Sequence, residues 1–163
     1  IEDFPEARIC TLQEYIDVCK TYGCRPMIEI KDPRTEKMQD LYDLLKKNDI
    51  LKSCILISFH LSDLRAMRKI DENLEMWYLV NYITNKVIRE AKKANLGVAF
   101  CAQYNALRPE YIKKVLDNGL TAACWTVDDK DLLLKMLDCG VRYITTNSIL
   151  PSAAALAQAQ RTN

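Results

Sequence analysis

Two residues of opposite charge stand two apart in the run Met27-Ile28-Glu29-Ile30-Lys31. The run is short and largely apolar, so it reads as a β-strand, and residues i and i+2 of a strand project to the same face. If that face is the interior of a barrel near the C-terminal rim, a carboxylate lies beside an ammonium in a confined site. Carboxylate oxygen suits a hard divalent cation, and lysine supplies a compact point charge for a phosphate oxyanion. Taken alone, the pair also fits an internal ion pair on an ordinary strand.

The remaining chemistry-bearing residues narrow the options. The single histidine, His60, directly follows Ser58-Phe59 and reads as a loop residue at a strand end. Seven cysteines (Cys10, Cys19, Cys24, Cys54, Cys101, Cys124 and Cys139) include no C-x-x-C pair, so they offer no zinc knuckle. Cys54 and Cys124 sit inside apolar runs, as reduced, buried thiols of a cytoplasmic protein do. Lys and Arg total 23 against 22 Asp and Glu, a net charge of +1. That balance leaves no electrostatic footprint for nucleic acid. No apolar run approaches the ~20 residues needed to span a bilayer. The chain starts at Ile1, which leaves a preceding signal or membrane anchor open.

What must position Glu29 and Lys31 is legible as a repeating pattern. The 163 residues are 49% hydrophobic and 28% charged, an ordinary balance for one globular domain with its own core. Short apolar runs at 27–30, 54–59, 76–80, 98–101, 122–127 and 143–145 lack polar alternation, as strands covered on both faces do. Between them lie segments of helical periodicity: 35–47, 62–70, 81–95, 109–118 and 128–139, with 11–22 before the first strand and an Ala-rich 152–161 after the last. Thr11-Leu-Gln-Glu14 has the form of a capping box. Ser62 is the expected start of its helix, and Asn48, Gly97, Gly119 and Gly140 stand where helices should stop. Alternating strand and helix means βα units on a parallel sheet. An open doubly wound sheet and a (β/α)8 barrel both fit this period, and no linker divides the chain, so residues 1–163 read as a single domain.

Five motifs occur in one order: Thr11-Leu-Gln-Glu14, Glu29-Ile-Lys31, Ser58-Phe59, Trp125-Thr-Val127 and Gly140-Val-Arg-Tyr-Ile-Thr-Thr146. In this the chain resembles the glycerophosphodiester phosphodiesterase family, from about residue 9 to 151. The resemblance implies a (β/α)8 TIM barrel, here incomplete, with about six βα units and the first two missing. It implies metal-dependent hydrolysis of glycerophosphodiesters to glycerol 3-phosphate and an alcohol, with Ca²⁺ or Mg²⁺ as cofactor. By the same resemblance Glu29 is a metal ligand, Lys31 contacts the phosphate, and Phe59 and Trp125 wall the pocket around the glycerol.

The departures carry as much weight. The family's H-R-G, E-x-D and H-D elements, with the two histidines that serve as acid and base, do not occur in this sequence. A two-histidine mechanism cannot run on His60 alone, so this chain is expected to be inactive in isolation. Its alternative role is a non-catalytic phosphate-binding or assembly module of the same fold. Asn147 stands where the family more often has Asp, and Asp128 where Asn is common, which reads as drift. With two units absent, the first and last strands should have open edges, through which the chain could pair with itself as a homo-oligomer.

Overall fold

The computed structural model describes residues 7–150. Six strands form one parallel sheet: β1 (Met27–Glu29), β2 (Ile55–Ser58), β3 (Met76–Val80), β4 (Gly97–Cys101), β5 (Ala122–Trp125) and β6 (Tyr143–Ile144). Their spatial order is β1-β2-β3-β4-β5-β6, each paired with the next in sequence. A doubly wound sheet would reverse direction at a switch point. This one runs on in a single sense and curls into an incomplete barrel wall with helices outside. Among the described residues, β1 and β6 are its two edges.

Residue parity sorts the sheet into two cores. Leu56, Met76, Val80, Val98, Phe100, Ala122 and Cys124 face the helix layer in the main cluster. Their neighbours Ile55, Trp77, Leu79, Ala99 and Ala123 form a second cluster on the concave face, joined by Met27, Ile57, Trp125 and Tyr143. Both faces are covered, which explains why the strands read as unbroken apolar runs.

The helices follow the expected pattern, with instructive shifts at their ends. α1 (Leu12–Thr21) starts on the predicted capping box: Glu14 N–H donates to Thr11 Oγ1 at 3.2 Å, and Thr11 N–H to Glu14 Oε2 at 2.8 Å. Arg8 pairs with the same carboxylate and, with Thr11, holds Glu14 down at about 2. Segment 35–47 divides into a 3₁₀ turn (Thr35–Lys37) and α2 (Met38–Lys47), which stops at Asn48 as expected. α3 (Leu61–Ile70) is preceded by His60 at the N-cap, so Ser62 lies inside the helix rather than starting it. α4 (Asn85–Lys93) begins four residues later than the periodicity suggests, on Thr84, whose side chain accepts from Val87 N–H. The delay has a cause: buried Asn105 bonds Asn81 O and Ile83 N–H and holds that stretch as a loop. α4 is capped at Ala94 and followed by Asn95 in the left-handed region with φ 51°, and Gly97 belongs to β4.

A one-turn helix, α5 (Ala102–Asn105), was not apparent from periodicity. α6 (Pro109–Asp117) starts on its proline and is followed by Gly119 at φ 73°. α7 (Lys130–Asp138) is capped by Asp129 rather than Asp128, whose carboxylate is engaged elsewhere. The expected helix at 152–161 lies outside the described residues.

Candidate functional site

The concave face of the sheet encloses a cavity of about 510 Å³. Parity explains its lining: Met27, Glu29 and Lys31 follow one another on alternate positions of the β1 segment, as Ile57 and Phe59 do at β2 and Trp77 and Leu79 on β3. Glu29 is the last residue of β1, Phe59 directly follows β2, and Trp125 ends β5. All four residues singled out from the sequence (Glu29, Lys31, Phe59 and Trp125) thus meet at the C-terminal ends of the strands, where (β/α)8 barrels gather their sites.

Two pairs define the chemistry. Lys31 Nζ lies 2.8 Å from Glu29 Oε2, so the carboxylate and ammonium form the ion pair that their spacing allowed. Glu29 is the more sheltered, its side chain 29% exposed against 76% for Lys31. Phe59 and Trp125 meet edge to face, ring centroids 5.8 Å apart at 81°. The site therefore offers paired charge beside a rigid aromatic wall. The floor is Trp77, packed on Tyr143 at 4.6 Å and lying over Gly97 of the next strand.

Sequence reasoning did not find Trp77, Tyr143, Thr126 or Thr145, all of which line the cavity. Stepping by two along each strand would have found Trp77 and Tyr143 once the register was known. His60 does not line the cavity.

The two departures at Asp128 and Asn147 come together. Asn147 donates to the Asp128 carboxylate through its backbone N–H at 2.6 Å and its side-chain amide at 3.0 Å, and Thr146 Oγ1 adds a third bond at 3.1 Å. These bonds, led by the Asn147 N–H, hold the Asp128 carboxyl below its ordinary range. The two positions thus form one contacting pair, joined across the loops that follow β5 and β6. The clasp ties the segment after β6 to the loop after β5, beside the lining residues Trp125, Thr126 and Thr145.

A divalent cation held by carboxylates takes several oxygen ligands. Among the described residues, Glu29 is the only carboxylate lining the cavity, and no group of three or more His, Cys, Asp or Glu is placed to hold a metal ion. The described residues do not by themselves fit such a centre.

Solved structures share this architecture. A glycerophosphodiester phosphodiesterase from Parabacteroides distasonis superposes with a TM-score of 0.79 at 25% identity, covering 94% of this chain and 65% of its own. An Oleispira antarctica phosphodiesterase, solved with the product sn-glycerol-3-phosphate, matches with a TM-score of 0.75 at 17% identity, covering 94% and 61%. A glycerophosphodiester phosphodiesterase from Agrobacterium tumefaciens gives 0.73 at 16%, covering 95% and 65%. The chain thus spans less than two thirds of the length of these three proteins. No curated protein matches it at a significant level in direct comparison. The model of the glycerophosphoryl diester phosphodiesterase family, however, matches residues 2–150. That match runs along nearly the whole chain, over a consecutive parallel sheet with its cavity at the C-terminal ends of the strands: the chain belongs to the glycerophosphoryl diester phosphodiesterase family.

Proposed function

We propose that this protein hydrolyses glycerophosphodiesters to glycerol 3-phosphate and an alcohol, residues 1–163 supplying the phosphate- and glycerol-facing part of one barrel domain. The observation that carries this reading is the Glu29–Lys31 pair at the mouth of a cavity that also holds Phe59 and Trp125. Lys31 binds and orients a phosphate oxygen. Phe59 and Trp125 bury the glycerol carbons and keep water from the reacting bond, which strengthens every electrostatic contact inside. Glu29 pairs with the ammonium and, among the described residues lining the cavity, is the one that offers carboxylate oxygen to a Ca²⁺ or Mg²⁺ ion. The described residues alone do not complete a site for such an ion. The seven free cysteines support a reducing, cytoplasmic setting. No helix among the described residues is long and apolar enough to cross a membrane.

A second reading, a non-catalytic module that binds a phosphate ester, is favoured by one observation. The single histidine lies outside the cavity lining, so no histidine pair faces a substrate. One assay separates the two: release of glycerol 3-phosphate from glycerophosphocholine, with Ca²⁺ or Mg²⁺ and with EDTA. The 163-residue chain is expected to show no turnover, since each lost acid–base group typically costs ~10²–10⁴-fold. A longer gene product bearing H-R-G and E-x-D is expected to turn over and to lose activity on Glu29→Ala. Full activity in that variant would remove Glu29 from the site, and metal-dependent turnover by the short chain would overturn the division of labour.

A further inference from the structure

β1 stops at Glu29, and the backbone hydrogen bond from Ile30 N–H to Ile57 O, at 2.9 Å, falls one residue before Lys31. Beyond it, two side chains from the end of β2 carry the backbone. Ser58, fully buried, donates its hydroxyl to Ile30 O at 2.7 Å and accepts from His60 N–H at 2.9 Å. The His60 ring then turns back, its Nε2 2.9 Å from Lys31 O. A carbonyl only accepts, so Nε2 carries the proton that makes this bond. His60 is the N-cap residue of α3, a position where Ser, Thr, Asp or Asn would bond the first-turn amides, yet its side chain makes no capping bond. The ring is committed to β1 instead.

We propose that Ser58 and His60 form a brace that fixes the backbone at Ile30 and Lys31 and so aims the Lys31 ammonium, His60 acting as a positioning residue. The inference rests on the reading of Lys31 as the phosphate contact. Lysine is long and flexible, and among the described residues its ammonium pairs with Glu29 alone, in a contact largely open to water. Such pairs fix geometry weakly. Where the ammonium can reach is therefore set by where the main chain is held, and at Lys31 the holding group is the imidazole. Phe59, between the two brace residues, is oriented by the same turn, so one hydrogen-bonded unit sets both the charged and the aromatic side of the cavity mouth.

Because the chain contains one histidine, its ring nitrogens can be read without ambiguity by ¹⁵N NMR. The brace requires the neutral ring to be the Nε2–H tautomer with a slowly exchanging proton. An Nδ1–H tautomer, or a ring proton exchanging as fast as in free histidine, overturns it. Function is read by titrating the 163-residue chain with sn-glycerol 3-phosphate. Lys31→Ala is expected to weaken binding on the order of 10-fold, the effect of one charged hydrogen bond. His60→Ala should weaken binding by a smaller factor. The double variant should be no weaker than Lys31→Ala alone, because the His60 ring contacts only the Lys31 backbone, while the turn that orients Phe59 is held by the His60 main-chain N–H, which the variant keeps. His60→Gln, which keeps an N–H donor, should recover most of the loss. Losses that add in the double variant, or a silent His60→Ala beside a damaging Lys31→Ala, overturn the positioning role. If Lys31→Ala is itself silent, the assignment of Lys31 to phosphate fails and the positioning role falls with it; the brace as a structural unit is still judged by the ring spectrum.

Discussion

Replacing Gly97 with alanine puts a methyl group where the Trp77 ring already lies. The two residues are register partners on β4 and β3. A Cβ built on Gly97 would sit 2.4 Å from Trp77 Cδ1, 2.9 Å from Nε1 and 3.0 Å from Cγ. The near atoms belong to the base of a rigid indole, not to the tip of a flexible chain. Trp77 is 2% exposed and backed by Tyr143 at 4.6 Å, so the ring can yield only by displacing the cavity floor or by prising the two strands apart. Overpacking of this kind costs about 1–3 kcal/mol. Alanine returns about 0.5–1 kcal/mol, since it has fewer unfolded conformations than glycine and Gly97 does not need a positive φ. The net loss lies within about 0–2.5 kcal/mol, and the 2.4 Å approach to a ring with no room to yield puts it in the upper half of that range. At about 2–4 °C per kcal/mol for a chain of this size, the melting temperature should fall by several degrees. The assay is thermal unfolding by circular dichroism, with emission of Trp77 recorded in a Trp125→Phe background. Trimming the ring in Gly97→Ala/Trp77→Phe should cost less than the two single losses summed. An unchanged or raised melting temperature for Gly97→Ala, with unperturbed emission, would refute the argument, as would strict additivity.

Four further outcomes are expected. Asn147→Asp alone should lower the melting temperature by facing two carboxylates where amide and carboxylate now bond at 3.0 Å, and adding Asp128→Asn should restore it; a double variant as unstable as the single one would show that this contact does not set the loss. Asp63 is fully buried with neither carboxylate oxygen hydrogen-bonded, so Asp63→Leu, which removes the unpartnered polar atoms, should raise the urea midpoint by relieving a penalty of about 1–3 kcal/mol; a lowered midpoint contradicts the reading. Glu14, held at about 2 by Arg8 and Thr11, has a folded pKa below its unfolded value, so its contribution is present near neutrality and lost as pH falls from about 4.5 toward 2. The stability gap between the native chain and Glu14→Gln should therefore close across that window, and a gap constant from pH 6 to 2 would be inconsistent. The edges β1 and β6 should promote self-association, seen as a concentration-dependent mass in light scattering; a strict monomer at high concentration argues against pairing there.

What the sequence determined by itself was whatever is settled by neighbours a few residues apart. The Thr11–Glu14 capping box spans three residues and forms as read. The doubly covered strands follow from apolar runs, the parallel sheet from their alternation with helices, and the shared face of Glu29 and Lys31 from strand parity. Ordered motifs then gave the family. What only the tertiary structure decided was which side chains leave their local role for a distant one. His60 and Asp128 both stand beside helix starts, where the local expectation for a polar residue is a cap. His60 instead bonds a carbonyl 29 positions earlier, and Asp128 an amide 19 positions later, leaving Asp129 to cap α7. Asn105, likewise, delays α4 by holding a loop 22 to 24 positions away. These partners are brought together by the register of adjacent parallel strands, each separated by a whole βα unit, and no local propensity encodes that register. The closeness of Trp77 to Gly97 has the same origin: a large ring fits on the concave face only because the residue opposite it, one βα unit along the chain, has no side chain.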